Sequence, residues 1–208
     1  MNYLSDPEAI YRQSFAAIRA EGDLSSLPPE THSIALRMIH ACGMVDIIGD
    51  LRIDTKLPGA VRAALGAGSP VLTDCEMVRS GIMKRGLSAG TEIICTLNDT
   101  RTRDIGVTGN TTRSAAAVEL WKPHLAASIV VIGNAPTALF ALLDLIDRGG
   151  SLPSAIIATP VGFVGAAESK AELASNPRGI PFATLLGRRG GSALAAAALN
   201  AIIAERAA

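Results

Sequence analysis

The chain has 208 residues, of which 49% are hydrophobic, 18% charged and 3% aromatic, so we expect one domain with an aliphatic core. Its 19 basic and 19 acidic residues cancel, which argues against a nucleic-acid-binding protein. The three cysteines form no CxxC pair, so we expect neither a zinc ribbon nor a disulfide framework. The apolar runs are too short to span a bilayer, and the N-terminal region carries charges too early for a signal peptide. We therefore expect a cytoplasmic protein.

Residues 1–45 are predicted to be helical. In "DPEAIYRQSFAAIRAEG" the aspartate is a suitable N-cap, the proline suits the first helical position, and the glycine ends the helix. A second helix is predicted in "PPETHSIALRMIHACG", from the proline pair to the glycine. Within it, Ser33, Arg37 and His40 recur at helical spacing and therefore share one face.

From residue 70 to residue 208, short runs rich in β-branched residues alternate with helical patterns. The five predicted strands are "PVLTD" (70–74), "EIICTL" (92–97), "SIVVIGN" (128–134), "SAIIATPVG" (154–162) and "IPFATLLG" (180–187). Helices are predicted near 76–84, at 111–121, 136–149 and 166–175, and in the C-terminal "SALAAAALNAIIAERAA". Strand–helix repeats joined by right-handed crossovers predict a three-layer α/β fold around an open parallel sheet, in a single domain spanning 1–208.

The loops that follow these strands are the predicted ligand-binding region, because doubly wound sheets bind ligands at the carboxyl ends of their strands. They are rich in arginine and helix starts, both of which favour anions. Segment 98–114 is expected to be one such loop. Arg113 lies in the first turn of a predicted helix, where its charge opposes the helix dipole, which favours a ligand role over that of a surface arginine. Arg188 and Arg189, in "GRRGGSA", either bind an anion or form a solvated turn.

A flavin- or nucleotide-binding protein of the flavodoxin type is a weaker alternative. "GNAPTA" follows a strand and opens a helix, but it has a proline where a dinucleotide loop needs close backbone approach. "GVTGNTTRSAAA" lacks both the GxGxxG pattern and the lysine of a P-loop.

His40 has two interpretations. It is either a half-buried histidine satisfied by its neighbours or a general acid and base. The sequence contains no recognisable Ser-His-Asp signature, no HExxH and no metal-spaced cluster. His32 and His124 occupy ordinary positions near a helix start and in a connecting loop. If one histidine works alone, His40 is the best placed to act as general acid and base, a role that suits the imidazole side chain.

Six sequence blocks, spread over essentially the whole chain, resemble the precorrin-8X methylmutase family of cobalamin biosynthesis. They are "RMIHACGMVD", "VLTDCEMVRSGI", "TRSAAAVE", "VVIGNAPTALFALL", "PVGFVGAAESKA" and "PFATLLGRRGGSALAAAALNA". The resemblance implies a flavodoxin-like fold with a five-stranded parallel sheet. It implies an isomerase that moves a methyl group from C-11 to C-12 of precorrin-8x and gives hydrogenobyrinic acid. It also implies that the enzyme uses no cofactor and no metal. It further implies a homodimer with active sites near the subunit interface, which can transfer its product directly to neighbouring pathway enzymes.

The same resemblance implies roles for individual residues. The family's catalytic histidine falls in the block that reads "RMIHACG" here, so His40 is expected to protonate a ring nitrogen of the substrate. Ser14, Arg37 and Arg113 match positions that contact substrate. Further substrate-binding residues are expected in three loops, at Asn134, Ala135, Thr137, Gly162, Arg188 and Arg189. A flat apolar macrocycle fringed with carboxylates suits an aliphatic floor with arginines at its rim.

Two alternatives to this function stay open at the level of the sequence. One is the cobalt-precorrin-8 methylmutase of the anaerobic pathway, which acts on the cobalt-containing substrate. The other is a non-catalytic corrinoid carrier, which would bind the product and pass it on.

Overall fold

The computed structural model describes residues 3–207, so Met1, Asn2 and Ala208 of the predicted domain lie outside the described residues. The strands are β1 Leu51–Ile53, β2 Val71–Thr73, β3 Ile93–Cys95, β4 Ile129–Ile132, β5 Ala155–Ala158 and β6 Phe182–Leu185. The α-helices are α1 Pro7–Glu21, α2 His32–Cys42, α3 Leu57–Gly66, α4 Glu76–Gly81, α5 Thr100–Thr108, α6 Arg113–Glu119, α7 Pro136–Asp147, α8 Ala166–Ser175 and α9 Ser192–Ala207. Short 3-10 helices lie at Pro29–Thr31, Val45–Asp50 and Lys122–His124.

The strands form one mixed sheet in the order β1-β6-β5-β4-β2-β3. The five predicted strands are all present and pair in parallel. The prediction of a five-stranded, wholly parallel sheet is nevertheless wrong, because β1 adds a sixth strand antiparallel to β6, with Leu51 opposite Leu185. This edge strand has three residues with an exposed arginine at its centre, too short a run for alternating hydrophobicity to predict it.

The strand order reverses between β2 and β4, because the chain moves from β2 outward to β3 and then returns to the other side of β2. In doubly wound sheets, such a switch point opens a crevice at the carboxyl ends of the two strands. The loops after β2 and β4 therefore lie where a ligand is expected.

Alternate strand residues point to two separate hydrophobic cores. Val71, Ile129 and Val131 pack into the core beneath α1–α4 and α9. Leu72, Val130 and Ile132 pack into the core on the opposite face, beneath α6, α7 and α8. The protein therefore has three layers, as the strand–helix repeats predict.

The ends of the first two helices follow from their capping residues. Both carboxylate oxygens of Asp6 accept backbone N–H groups of the first turn of α1, at 3.2 Å, and the helix ends before Gly22. α2 ends before Gly43, whose φ of 69° is a left-handed conformation that glycine adopts without strain. These boundaries confirm the predicted ones.

Segment 98–114, expected to be a loop, contains α5, so that expectation is wrong. Asp99 caps this helix by accepting the N–H of Arg101 at 3.0 Å. The helix buries Thr102 but no large apolar side chain, so its sequence lacks the apolar stripe that would predict it. Among the described residues, no helix is long and apolar enough to cross a membrane.

Candidate active site around His40

His40 lies in the last turn of α2 and meets α1 through a hydrogen bond. Its Nδ1 is 2.8 Å from the hydroxyl oxygen of Ser14. The side chain of His40 is exposed, while its neighbours Met38 and Ile39 are buried. The helix therefore anchors itself through its apolar face and presents the imidazole outward. The structure brings together Ser14 and His40, two residues 26 positions apart in the chain.

Two aromatic side chains of α1 hold the imidazole ring. The ring of Phe15 stacks on it, with 5.3 Å between centroids and 18° between planes. Tyr11 approaches at the same distance with a tilt of 54°. Sequence reasoning missed both residues, although their spacing of four residues, which places them on one face of α1, was an available signal.

Arg37 completes this cluster from α2. Its guanidinium carbon lies 5.5 Å from the centroid of the Tyr11 ring, a geometry that allows a cation–π interaction. Arg37 lies one turn before His40 on α2 and makes its contact with the Tyr11 ring rather than with the imidazole. The predicted residues Ser14, Arg37 and His40 thus occupy one place in the fold.

The two nitrogens of the imidazole are not equivalent. Nδ1 is engaged with Ser14, whereas Nε2 has no hydrogen-bond partner among residues 3–207. In the protonated form, Nδ1–H donates to the hydroxyl oxygen of Ser14, and Nε2–H is available to a ligand. The arrangement therefore supplies one directed proton donor at the surface of the α1–α2 pair.

An open cavity of about 420 Å³ adjoins this cluster between α1, α2 and α9. It is lined by Tyr11, Arg12, Phe15, Arg19, Ser33, Leu36, Arg37, Ala201, Ala204 and Glu205. Three arginines give the cavity a basic rim around aromatic and aliphatic walls. That combination suits a ligand with an apolar body and peripheral carboxylates.

A second group of predicted residues lies at the switch point of the sheet. Asp74, directly after β2, accepts the backbone N–H groups of Gly133, Asn134 and Ala135 at 3.0, 2.9 and 2.8 Å. Burial raises the pKa of the Asp74 carboxyl above its ordinary value, and the three N–H donors act in the opposite direction. Asn134 and Ala135 are therefore held in place through their backbones. Sequence reasoning missed Asp74, although an acidic residue at the end of the apolar run "PVLTD" was an available signal.

The switch-point loop also approaches the start of α9 closely. A β-carbon on Gly133 would lie 2.6 Å from the α-carbon of Ser192. A side chain at this position would therefore push the β4 loop away from α9. The glycine allows the two segments to meet.

Thr137 and Arg113 lie on the other side of this loop. The Thr112 hydroxyl donates to the Thr137 hydroxyl oxygen at 2.8 Å and accepts the N–H of Ala115 at 3.2 Å, which caps α6. Arg113 is exposed beside this cap and lines an open cavity of about 850 Å³ together with Arg103. The Arg113 guanidinium is thus available to an anionic group.

The third group lies after β5 and β6. The N–H of Gly162 donates to the carbonyl oxygen of Arg188 at 3.1 Å. The exposed Arg188 guanidinium lies 5.5 Å from the centroid of the Phe163 ring. Arg189 is already engaged: it donates to Asp46 at 2.6 Å and to Asp50 at 3.0 Å. Of the two arginines, Arg189 is therefore engaged within the protein, whereas Arg188 remains exposed.

The predicted site residues occupy three places in the fold rather than one. No hydrogen bond or ion pair within the described part of the chain joins Ser14, Arg37 or His40 to either of the other two groups. Across residues 3–207, no group of three or more His, Cys, Asp or Glu side chains is arranged to hold a metal ion.

Comparison with known proteins gives a consistent set of relatives. A family model described as precorrin-8X methylmutase matches residues 9–205. The chain is 52% identical over 206 residues to a precorrin-8X methylmutase from Pseudomonas aeruginosa, with 99% of each chain covered. It is 36% identical over 200 residues to a cobalt-precorrin-8 methylmutase from Priestia megaterium, with 94% of this chain and 87% of the relative covered. The fold is similar to the crystal structure of a precorrin-8x methyl mutase from Thermus thermophilus, with a TM-score of 0.85, 32% identity and 96% of each chain covered.

Proposed function

The chain belongs to the precorrin-8X methylmutase family, and we propose that it acts on metal-free precorrin-8x, moving a methyl group from C-11 to C-12 to give hydrogenobyrinic acid. It is accordingly an isomerase of cobalamin biosynthesis. The observation that carries the choice of substrate is the difference in identity: 52% to a precorrin-8X methylmutase against 36% to a cobalt-precorrin-8 methylmutase.

We assign the proton transfer to His40. The migrating methyl group stays within the same molecule, so the reaction needs no external methyl donor and no oxidant. Protonated His40 donates the Nε2 proton to a ring nitrogen, which draws electron density from the macrocycle and eases the shift. The imidazole is then neutral with its proton on Nδ1, where Ser14 accepts a hydrogen bond. After the shift, Nε2 takes the proton back, so His40 ends the cycle as it began.

The surroundings of His40 support this role. The stacked Phe15 ring and the tilted Tyr11 ring restrict the plane of the imidazole. Ser14 fixes which nitrogen faces the ligand. General acid catalysis by one positioned side chain contributes about 10²–10⁴-fold in rate.

We assign recognition of the substrate's carboxylates to arginines at the rim. Arg37 lies beside His40 and lines the basic cavity, while Arg113 and Arg188 are exposed at the carboxyl edge of the sheet. The planar guanidinium suits bidentate binding of a carboxylate. Asn134, Ala135, Thr137 and Gly162 would shape the loops against which the macrocycle lies.

We propose that the working form is a homodimer. His40 is exposed, so a flat ligand placed on it needs a further wall to exclude water. The loop after β5 exposes Phe163 and Val164 at 86% and 89%, an apolar surface that a second copy would cover. We place the reaction in the cytoplasm, with a direct hand-off of the product to a neighbouring pathway enzyme as an optional further step.

The test is to incubate the purified protein separately with precorrin-8x and with its cobalt-containing counterpart, following the absorption spectrum. We expect conversion of precorrin-8x to hydrogenobyrinic acid with a kcat/KM at least about 10-fold above that for the cobalt substrate, a difference of about 1.4 kcal/mol in transition-state binding. Faster turnover of the cobalt substrate would contradict the choice of substrate. Tight binding of both without conversion would favour a carrier, and flavin bands in the purified protein would favour a flavodoxin-type protein.

A further inference from the structure

Lys170 is a fully buried lysine in the middle of α8. Its ammonium donates to the backbone carbonyl oxygen of Arg189 at 2.5 Å. A buried charge is costly unless it is paired or hydrogen-bonded, so this lysine needs a structural or functional reason. The proton transfer proposed for His40 does not use it.

Arg189 connects this lysine to two carboxylates. One terminal nitrogen of its guanidinium donates to Asp46 at 2.6 Å and the other donates to Asp50 at 3.0 Å. Burial lowers the pKa of Lys170 to about 8, and the nearby Asp50 carboxylate acts in the opposite direction. Two cations and two anions thus form one balanced cluster, here called the edge cluster: Asp46, Asp50, Lys170 and Arg189.

The antiparallel strand β1 explains why these acids reach the ligand-binding edge of the sheet. The parallel strands all end at this edge, whereas β1 begins there because it runs the other way. Asp50 immediately precedes β1, and its carbonyl oxygen accepts the N–H of Leu186 at 2.9 Å. The two acids therefore meet the loop that follows β6.

The edge cluster joins two parts of the proposed site. Asp46 and Asp50 lie in the 3-10 helix Val45–Asp50, which begins three residues after α2, the helix that carries His40. Lys170 and Arg189 hold the loop between β6 and α9. The same loop is tied to the β5 loop, because the N–H of Gly191 donates to the carbonyl oxygen of Thr159 at 2.7 Å. The cluster therefore links the end of the His40 helix to the loops at the strand ends.

We propose that Lys170 and Arg189 are positioning residues that fix the β6–α9 loop against the segment following the His40 helix. This contact aligns substrate bound at the strand ends with His40. The kinetic part of this inference rests on the proposed function. Arg189 then acts through the protein ion pair rather than as a ligand for a substrate carboxylate.

The variants that test this are Lys170→Met and Arg189→Met, alone and combined. Methionine is unbranched, keeps most of the length of lysine and the aliphatic part of arginine, and removes the charge and the donors. Leu173→Ala is the matched control, because Leu173 is fully buried on the same helix, in the core on that face, and belongs to no part of the edge cluster. The Arg189 side chain is 37% exposed, so Arg189→Met provides the test if Lys170→Met does not fold.

The kinetic readout is kcat and KM for precorrin-8x, measured well below the unfolding midpoint of every variant. We expect each methionine variant to lose about 10- to 100-fold in kcat, the effect of a small misplacement at a reacting centre, with a smaller change in KM. The kcat of the double variant should be no lower than that of the less active single variant, because the two residues act as one unit. Leu173→Ala should lower the unfolding midpoint without changing kcat.

A second readout does not depend on turnover. The ring proton signals of His40 in the NMR spectrum, identified by their loss in His40→Gln, should shift in both methionine variants and stay unchanged in Leu173→Ala. If the wild type converts neither corrinoid, the proposed function fails while this spectrum still tests the positioning role. Methionine variants with kcat and His40 signals like those of the wild type would overturn the inference, whatever their stability.

Discussion

The region around His40 and the carboxyl edge of the sheet are built in opposite ways. His40 is exposed, and one hydrogen bond to Ser14 and two aromatic rings hold it. At the edge of the sheet, Asp74 and Lys170 are buried and bonded to the backbones of neighbouring loops. One region leaves a titratable side chain exposed, while the other uses buried charged groups to fix the backbone.

The contrast between the two regions matches the roles that we propose for them. A proton donor must be accessible to the substrate, which requires an exposed side chain. Contacts with Ser14 and the two aromatic rings of α1 then orient the imidazole. The loops at the strand ends are held through their backbones, which bond to the buried side chains of Asp74 and Lys170. We therefore expect changes at His40 to affect rate and changes at the edge of the sheet to affect stability or alignment.

Removing the proton donor should lower kcat more than any other change considered. His40→Gln removes the acid from an exposed position, so kcat should fall by about 10²–10⁴-fold, while the unfolding midpoint stays within a few degrees of the wild type. Steady-state kinetics and thermal unfolding check the two halves of this prediction. A variant that lost stability and kept kcat would reverse the roles of the two regions.

The next largest effect is expected from Asp74→Asn. The amide keeps one acceptor but directs an NH₂ group at backbone N–H donors, so the free energy of unfolding should fall by about 3 kcal/mol. Denaturant unfolding of the wild type and Asp74→Asn measures this change in the free energy of unfolding. Asp144→Asn is the control, because Asp144 is exposed in an ion pair with Arg148 and should cost less than about 0.5 kcal/mol. Equal effects of the two substitutions would show that the switch-point loop does not depend on Asp74.

Ser14→Ala should have a smaller effect, confined to rate. It removes the oxygen that bonds to Nδ1 and leaves the aromatic rings to orient the imidazole, so we expect kcat to fall about 10-fold, equivalent to about 1.4 kcal/mol. Gln13→Ala, at the exposed neighbouring position of α1, is the control and should leave kcat unchanged. A wild-type kcat for Ser14→Ala would mean that stacking alone orients His40.

The smallest expected effect is the pH dependence of stability that Lys170 contributes. Its pKa is about 8 in the folded protein against an ordinary 10.5, so between these values the unfolded chain binds more protons than the folded one. The destabilisation is complete well below pH 8 and is relieved as the pH rises through this value, by about 1 kcal/mol between pH 8 and 9. Denaturant unfolding of the wild type and Lys170→Met across this range isolates the contribution. Parallel curves would mean that Lys170 titrates normally.

The sequence predicts much of the fold because its signals are local. Capping residues locate α1 and α2, and β-branched runs locate the five parallel strands. Two elements escape this reasoning for physical reasons. β1 is a three-residue edge strand whose pairing with β6 is a long-range event, and α5 is a polar helix that buries Thr102 but no large apolar residue.

The site is less predictable, because its contacts are long-range. Local pattern leaves His40 open between a packing and a chemical role, and it was the resemblance to the family that pointed to Ser14. Their contact forms through the packing of α1 on α2, which no spacing within either helix specifies. Arg189 meets acids 143 and 139 positions away, so the sequence could not distinguish an anion-binding arginine from one engaged in the protein.

The most direct test of His40 as the proton donor is rescue of the His40→Ala variant by added imidazole. Alanine leaves an open space beside Tyr11 and Phe15 that free imidazole can enter, whereas His40→Gln fills it and serves as the control. We predict that imidazole raises the kcat of His40→Ala at least about 10-fold in a saturable manner and leaves His40→Gln unchanged. Failure of imidazole to raise the rate, with hydrogenobyrinic acid still bound as tightly as by the wild type, would contradict His40 as the acid.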